Sequence, residues 1–344
     1  MMQLRILFHR DMLRHNVRSN VEGPQRLAKL AAREDIMDYL PSVKRDKEEL
    51  LGLVHTKEYI ERIKAACRKG ERVADVRTTP NTYAAALIAS AISVDAAMDG
   101  DFAAVRPPGH HASASTEGGF CLFNNMAIAS TFLADQGKKV LVIDIDAHPG
   151  DGTQRTVESR ARQKGGAADI IYISISGEGA WPLGAVTRPY IARVHNNIVS
   201  LNMLVPAGAG DDMLAGSVSL AMHIALQYKP DVIGVSFGAD GHQDEGLGLK
   251  YTERGFYDLG ITLRQLGVKT FAVLEGGYHR LVCECIDFFI AGIEGRRYPY
   301  DAPNSISSQA LWDKYNCAMK DVRAVVMGTG GMHQASELDI DVVL

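Results

Sequence analysis

Residues that could bind a metal ion and transfer protons occur at four places in this chain, each beside an apolar run. Two adjacent histidines, His110 and His111, end the run Arg-Pro-Pro-Gly-His-His. Asp-Ile-Asp-Ala-His follows at 144–148, Gly-Ala-Asp at 238–240, and Glu-Gly-Gly-Tyr at 275–278. These residue types supply metal ligands, general bases and a phenol that can donate to an oxyanion. Together they indicate metal-assisted hydrolysis.

A metal site is predicted from Asp146, His148 and Asp240. Alternate side chains of an extended segment lie on one side, so Asp146 and His148 can face the same ion. One imidazole and two carboxylates, with a position left for water, suit catalytic zinc, and this oxygen-rich set would also accept iron. A polar turn that caps the next helix is the alternative for the Asp-x-Asp-x-His segment alone. His242, two residues after Asp240, is a rival ligand.

Proton transfer is assigned to the histidine pair and oxyanion stabilisation to Tyr278. Imidazoles suit acid–base chemistry near neutral pH when partners fix their tautomers, and the carboxylates of Asp144 and Asp151 are available for that purpose. The two glycines before Tyr278 permit a turn that swings its ring inward. Packing, or a tight turn, would explain either feature in isolation. Their combination with a metal segment favours catalysis by His110 and His111.

Aromatic residues near these motifs could form the walls of a narrow channel. Phe120 follows two glycines, and Trp181 precedes a proline. Core packing explains each of these aromatic residues equally well from the sequence alone.

Short apolar, β-branched runs alternate with helical stretches along the chain. Continuous apolar runs are typical of strands buried on both faces, as in a parallel sheet. The alternation predicts a three-layer α/β fold with a central, mostly parallel sheet. Ligands bind such sheets outside the carboxyl ends of the strands, which is where the polar motifs lie. The predicted strands are 140–143, 170–175, 232–237 and 270–274, and the predicted helices are 82–98, 213–228 and 252–266.

Composition and length exclude several classes of protein. The chain has 344 residues, is 46% hydrophobic and carries a formal net charge of -4, so no global basic field recruits nucleic acid. It has no uninterrupted apolar segment of ~18 residues for a membrane helix and no signal peptide, so we expect a soluble, cytoplasmic protein. Five cysteines without CxxC spacing argue against a disulfide framework or a zinc knuckle. Cys283 and Cys285 are expected to be packed thiols on a strand or helix.

The motifs resemble those of the histone deacetylase superfamily, which includes acetylpolyamine amidohydrolases and acetoin-utilisation proteins. The resemblance extends from about His15 to about Pro299. The arginine–proline–proline opening and the Leu-Glu-Gly-Gly-Tyr run look most like the class II and the bacterial or archaeal branches. The segments that carry it are 22–27, 54–59, 106–111, 119–120 with Asn124 and Asn125, and the three metal-site segments.

The resemblance implies an arginase-like α/β fold and a zinc hydrolase that removes acetyl, or a related acyl group, from an amine. By position it implies a site made of three parts. Zinc would be held by Asp146, His148 and Asp240; protons would be handled by His110 with Asp144 and His111 with Asp151; and Tyr278 would polarise the acyl carbonyl. The acyl-lysine tunnel would be lined by Gly119, Phe120 and Trp181, with Asp75 at its rim, and a potassium ion would lie behind the zinc at Asp144, Ser174 and Ile175.

The sequence departs from the family pattern at Pro149, at Ser176 and in the loop after Trp181, which leaves the shape of the tunnel undecided. An acetylated protein lysine, an acetylpolyamine and another small acylated amine therefore all stay open as substrates. A ureohydrolase of the arginase kind, with two manganese ions, and a non-catalytic acyl-ligand binding module are the rival interpretations.

The chain is predicted to be a single deacetylase-like catalytic domain over 1–344. Its core is expected to span about 1–300 and a C-terminal extension about 301–344. A homo-oligomer could close the site with a partner subunit.

Overall fold

An eight-stranded sheet lies at the centre of the molecule. The computed structural model describes residues 4–17, 21–43, 46–183, 186–298 and 304–328. The strands lie in the order β1-β2-β8-β7-β3-β4-β6-β5, and every neighbouring pair is parallel except β5 with β6. They are β1 Ile6–Leu7, β2 Phe102–Ala103, β3 Val140–Asp144, β4 Ile170–Gly177, β5 Tyr190–Val194, β6 Asn197–Val205, β7 Val232–Phe237 and β8 Lys269–Leu274.

Helices cover both faces of this sheet. Three of them, α4, α5 and α6, pack in succession on each other, and α7, α8 and α9 form a second such series. All five residues of β3 are buried, as they must be when both faces of the sheet are covered. The helices of the described residues are α1 Ala28–Ala31, α2 Lys47–Leu51, α3 Lys57–Lys69, α4 Thr82–Asp99, α5 Asn125–Asp135, α6 Asp151–Gln163, α7 Asp211–Tyr228, α8 Glu253–Arg264, α9 Val282–Glu294, α10 Gln309–Ala318 and α11 Lys320–Val326, with 3₁₀ turns at Arg10–Arg14, Pro24–Leu27 and Gln243–Glu245.

The predicted three-layer α/β architecture is therefore confirmed, and the predicted strands and helices are present with shifted ends. Helix α8 begins one residue later than expected because Thr252 is its N-cap: the Thr252 side chain accepts the Arg254 amide. Strands β1, β2, β5 and β6, among them the antiparallel edge strand β5, were not predicted from the sequence. Cys283 and Cys285 are buried free thiols in α9, as expected. In the part of the chain that the structure describes, no helix combines the length and apolar character needed to cross a bilayer.

The C-terminal segment packs on the start of α7. Asp211 accepts the Ser305 amide at 2.9 Å, and Asp212 accepts the Ser307 hydroxyl at 2.7 Å and the Trp312 indole N–H at 2.8 Å. Part of the predicted extension thus contacts the core, while 301–303 and 329–344 lie outside the described residues. The single-domain organisation stays a prediction.

The polar motifs that follow β3, β7 and β8 meet at the carboxyl ends of these three neighbouring strands. Strand β7 lies between β3 and β8, and Asp144 is in register with Ser236, while Phe237 is in register with Leu274. The loops that follow these strands therefore begin side by side, at the carboxyl ends where parallel sheets bind ligands.

Candidate active site

Asp146, His148 and Asp240 converge at this edge of the sheet. The Nδ1 atom of His148 lies 2.9 Å from Asp240 Oδ2 and 3.1 Å from Asp146 Oδ1. One ligand atom from each residue lies within 4.8 Å of the others. Both carboxylates are buried and His148 is partly exposed, so the group faces the solvent on one side only. One nitrogen and two oxygen donors at this spacing could hold a divalent metal ion.

Backbone amides orient the two carboxylates. The Gly276 amide donates to Asp146 Oδ2 at 2.7 Å, and the Ala147 amide donates to Asp240 Oδ1 at 2.8 Å. A Cβ at position 276 would lie 2.5 Å from Asp146 Oδ2, so only glycine can approach the carboxylate this closely. The two carboxylates are thus oriented by backbone amides as well as by His148.

The electrostatics of this group favour a positive charge between the carboxylates. Burial and the neighbouring Asp146 charge raise the pKa of Asp240 to about 7. Burial lowers the pKa of His148, but hydrogen bonds to Asp146 and Asp240 outweigh this effect and raise the value to about 10. A divalent cation satisfies the same demand, so the residues present fit a metal ion.

The two histidines form adjacent His–Asp pairs beside the metal group. His110 Nδ1 lies 3.1 Å from Asp144 Oδ2, and His111 Nδ1 lies 2.9 Å from Asp151 Oδ1. The two rings are 4.0 Å apart, and His110 Nε2 is 3.8 Å from Asp146 Oδ1. An ionised carboxylate can only accept, so in both pairs the Nδ1 atom carries the proton of the hydrogen bond.

The pKa values of the pair are pushed apart. Burial disfavours charge on His110, but the carboxylates of Asp146 and Asp144 outweigh it and raise its pKa well above the usual value. Burial and the charge on His110 lower the pKa of His111 to about 4, against the opposing effect of Asp151. One histidine is therefore suited to be the acid of the pair and the other to be the base.

The segment that carries the histidines is held rigidly. Glu275 Oε2 accepts the amides of Gly109 and His110 at 2.8 and 3.0 Å. A Cβ on Gly109 would lie 2.4 Å from the Asn125 amide nitrogen, which explains the glycine. Buried Arg106 donates to both carboxylate oxygens of Glu22. Glu275 and Glu22 both lie within sequence motifs, but neither was assigned a role from the sequence.

Tyr278 lies in the irregular segment between β8 and α9. Its ring packs edge-on against Phe120, with centroids 5.6 Å apart, and the Arg26 guanidinium lies 4.7 Å above it. Burial raises the pKa of Tyr278 well above its usual value, which keeps its hydroxyl protonated as a donor. Arg26 was also given no role from the sequence. It donates to three successive backbone carbonyls, those of Glu275, Gly276 and Gly277.

These groups line one cavity of about 270 Å³. Trp181 is 42% exposed at its mouth and packs edge-on against His111, with ring centroids 4.7 Å apart. Asp75, also exposed, accepts the Gly119 amide at 3.1 Å. The structure thus brings all four residues predicted to bind substrate into the same cavity as the metal group. The lining comprises Asp75, Pro108, His110, His111, Gly119, Phe120, Asp146, His148, Trp181, Asp240, Gly276 and Tyr278.

Asp144, Ser174 and Ile175 lie together behind the metal group. Ser174 on β4 is in register with Asp144 on β3, and all three residues are fully buried. The Ser174 hydroxyl has no hydrogen-bond partner among the described residues. A buried hydroxyl without a partner beside a buried carboxylate fits a bound cation or water.

His242 lies outside the metal group. Its ring stacks on His279 with centroids 4.3 Å apart, its Nδ1 accepts the Asp244 amide, and its Nε2 lies 3.5 Å from Glu253 Oε2. The Nδ1 atom therefore faces the turn at Asp244 and the Nε2 atom faces Glu253 at the start of α8, so the rival ligand His242 is not part of the group formed by Asp146, His148 and Asp240.

Comparisons with known proteins identify the family. The Histone deacetylase domain matches residues 19–292. A probable deacetylase of Archaeoglobus fulgidus is 28% identical across 91% of this chain and 93% of its own length. An acetylpolyamine amidohydrolase of Burkholderia pseudomallei is 31% identical, but the match covers 56% of this chain and 55% of the relative.

Solved structures agree with the fold. The crystal structure of the HDA15 HD domain has a TM-score of 0.79 at 24% identity and covers 95% of this chain and 98% of that chain. An acetylpolyamine aminohydrolase structure from Burkholderia pseudomallei has a TM-score of 0.73 at 24% identity, covering 86% and 100%. With a matched domain that spans most of its length, this chain belongs to the histone deacetylase domain family.

Proposed function

We propose that this chain is a zinc-dependent amidohydrolase that removes acetyl, or a related acyl group, from an amine. One observation carries the proposal: three side chains that could bind a metal, the two histidines that pair with Asp144 and Asp151, and a tyrosine line a single cavity. A binding module would need the pocket and its aromatic walls, but it would not need two histidines with pKa values displaced in opposite directions.

Asp146, His148 and Asp240 would hold the zinc ion, and their oxygen-rich set would also accept Fe²⁺. When bound, zinc polarises a carbonyl and lowers the pKa of a bound water. A potassium ion would fit at Asp144, Ser174 and Ile175, where the Ser174 hydroxyl lacks a partner among the described residues.

The two histidines divide the proton transfers in this proposal. His111, whose pKa is about 4, is neutral near pH 7 and takes a proton from the attacking water at Nε2. Asp151 holds its Nδ1 proton and so fixes the tautomer. His110, whose Nδ1 is held by the Asp144 carboxylate, returns a proton to the departing amine.

Tyr278 would stabilise the oxyanion. Its hydroxyl stays protonated, and donors already oriented in a water-poor site contribute several kcal/mol to transition-state stabilisation, as an order of magnitude. Phe120 and Trp181 would flank a slender aliphatic stem, and Asp75 at the rim would contact the substrate backbone or an amine.

Acetyl-lysine in a protein is the proposed substrate. An acetylpolyamine is the alternative, which is supported by the similarity to acetylpolyamine amidohydrolases. The test compares acetate release from an acetyl-lysine peptide and from an acetylated polyamine by zinc-loaded and chelator-treated protein. Metal-dependent turnover of the peptide supports a protein deacetylase, and turnover of the polyamine alone supports the alternative. If neither substrate is hydrolysed while zinc is bound and the protein is folded, the proposed activity is contradicted.

We also propose a reducing compartment such as the cytoplasm, because all five cysteines are free thiols. Cell fractionation tests this location; recovery of the protein from an oxidising compartment would overturn it. Light scattering of the purified chain would test the predicted homo-oligomer, which a monomeric mass at working concentration would refute.

A further inference from the structure

The segment that carries Tyr278 has no regular secondary structure of its own, since β8 ends at Leu274 and α9 begins at Val282. Gly277, directly before the tyrosine, has a φ of 102° and no side chain to restrain it. The direction in which the Tyr278 ring leaves the backbone must therefore be set by contacts from other parts of the chain.

Glu245 supplies such a contact. One of its carboxylate oxygens, Oε2, accepts the amide of Tyr278 at 2.8 Å and the amide of His279 at 2.9 Å. Hydrogen bonds to an ionised acceptor are about twice as strong as those between neutral groups. The tyrosine backbone is thus tied to a carboxylate from a separate loop.

Arg26 holds the same segment through the opposite set of groups. Its guanidinium donates to the carbonyls of Glu275, Gly276 and Gly277, while Glu245 accepts the two amides that follow. A cation on the carbonyls and an anion on the amides match the polarity of the peptide groups. Arg26 and Glu245 together hold this segment by its backbone.

Glu245 also connects Tyr278 to the metal group. It lies five positions after Asp240, in the loop that follows β7, and that loop is itself tied down at His242, whose ring stacks on His279. The spacing between the metal ligands and the tyrosine hydroxyl depends on how these two loops are joined.

We propose that Glu245 is a positioning residue for the reaction, fixing the backbone of Tyr278 relative to Asp240 so that the hydroxyl faces the reacting carbonyl. The inference rests on the proposed function, in which that hydroxyl is the oxyanion donor. Glu245 does not line the cavity and so acts only through Tyr278.

The first test measures kcat and KM of a set of variants, with acetyl-lysine peptide at concentrations up to saturation. Glu245→Ala should lower kcat by about 10- to 100-fold, as expected for a displacement near 1 Å, with KM changed less than about threefold. Glu245→Gln keeps one acceptor oxygen for both amides and should recover most of the lost kcat. Asp244→Asn is the matched control, because Asp244 is next to Glu245 but its carboxylate pairs with the exposed Arg280 side chain and not with the amides of Tyr278 and His279.

A double-mutant cycle separates positioning from a general structural role. In a Tyr278→Phe background the hydroxyl is absent, so Glu245→Ala should lower kcat by less than about twofold further. A full, multiplicative loss in that background would overturn the proposal. So would a glutamine variant that is no better than the alanine variant.

A measurement without turnover distinguishes failure of this proposal from failure of the proposed activity. Amide hydrogen exchange by mass spectrometry should show faster exchange in a peptide covering 275–281 for Glu245→Ala than for Asp244→Asn. Unchanged exchange would refute the contact itself, whatever the activity. Faster exchange in a chain that hydrolyses no acetyl amide would support the contact between Glu245 and the amides of Tyr278 and His279, but it would contradict the function on which the inference rests.

Discussion

Substituting Gly276 by alanine tests whether the metal ligands are held where the structure places them. Gly276 is not itself a predicted ligand, and its amide already donates to Asp146 Oδ2. An alanine keeps that amide and adds one methyl group. Any loss of metal must therefore come from the new contact rather than from a missing donor.

The expected magnitude follows from the distances. The new Cβ would lie 2.5 Å from Asp146 Oδ2 and 2.8 Å from Asp240 Oδ2. Comfortable van der Waals contact requires roughly 3.4 Å, so one or both oxygens must move by roughly 0.5 to 1 Å. Metal sites tolerate only about 0.2 Å. We expect zinc affinity to fall by about 10- to 100-fold, the usual cost of disturbing groups that orient ligands, and kcat to fall with it.

The assay is a zinc titration of stripped protein against a chromophoric chelator, followed by acetate release at saturating zinc. Gly52→Ala is the control, since its Cβ would meet only the Glu49 carbonyl at 3.4 Å, an ordinary contact. Thermal unfolding of the stripped proteins checks that both variants fold. Parental zinc affinity together with parental kcat in Gly276→Ala would refute the assigned geometry of the ligands.

Two further predictions concern buried charges. Arg26→Met should lower kcat at least about tenfold at unchanged zinc content, because the carbonyls before Tyr278 lose their donor; unchanged kcat in steady-state assays would contradict this. Burial raises the pKa of Glu22, but His15 and Arg106 outweigh it and lower the value from 4.5 to about 2. A lowered pKa stabilises the fold above pH 4.5 by roughly 3 kcal/mol, and this is lost as pH falls towards 2. Glu22→Gln should therefore have a lower free energy of unfolding than the parent at pH 7, measured by urea unfolding. This difference in unfolding free energy should be about 1 kcal/mol smaller at pH 3.5. A difference that does not change with pH would refute the lowered pKa of Glu22.

The sequence sufficed to predict those parts of the fold and site that depend on local pattern. Runs of mostly apolar residues marked β3, β7 and β8, since strands buried on both faces carry few polar residues. The polar motifs directly after those runs had to lie at one edge of the sheet. The structure accordingly brings Asp146, His148 and Asp240 together, although the ion they hold stays a prediction.

The residues that hold the proposed catalytic groups in place could not be assigned roles from the sequence. Arg26 contacts a segment about 250 positions away, and Glu245 contacts one about 33 positions away, through backbone atoms that carry no sequence signal. Glu275 likewise reaches the amides of Gly109 and His110 across 166 and 165 positions. Contacts with backbone groups leave no residue pattern at the receiving end, so one sequence cannot reveal them.

The most direct test of the central claim is acetate release from an acetylated amine by zinc-loaded protein, measured in parallel for the parent chain, the chelator-stripped chain and Tyr278→Phe. We predict turnover by the zinc-loaded parent, loss of turnover on stripping with recovery when zinc is returned, and a steep loss of kcat in Tyr278→Phe at unchanged zinc content. Full turnover by the stripped protein, or parental kcat in Tyr278→Phe, would contradict this claim.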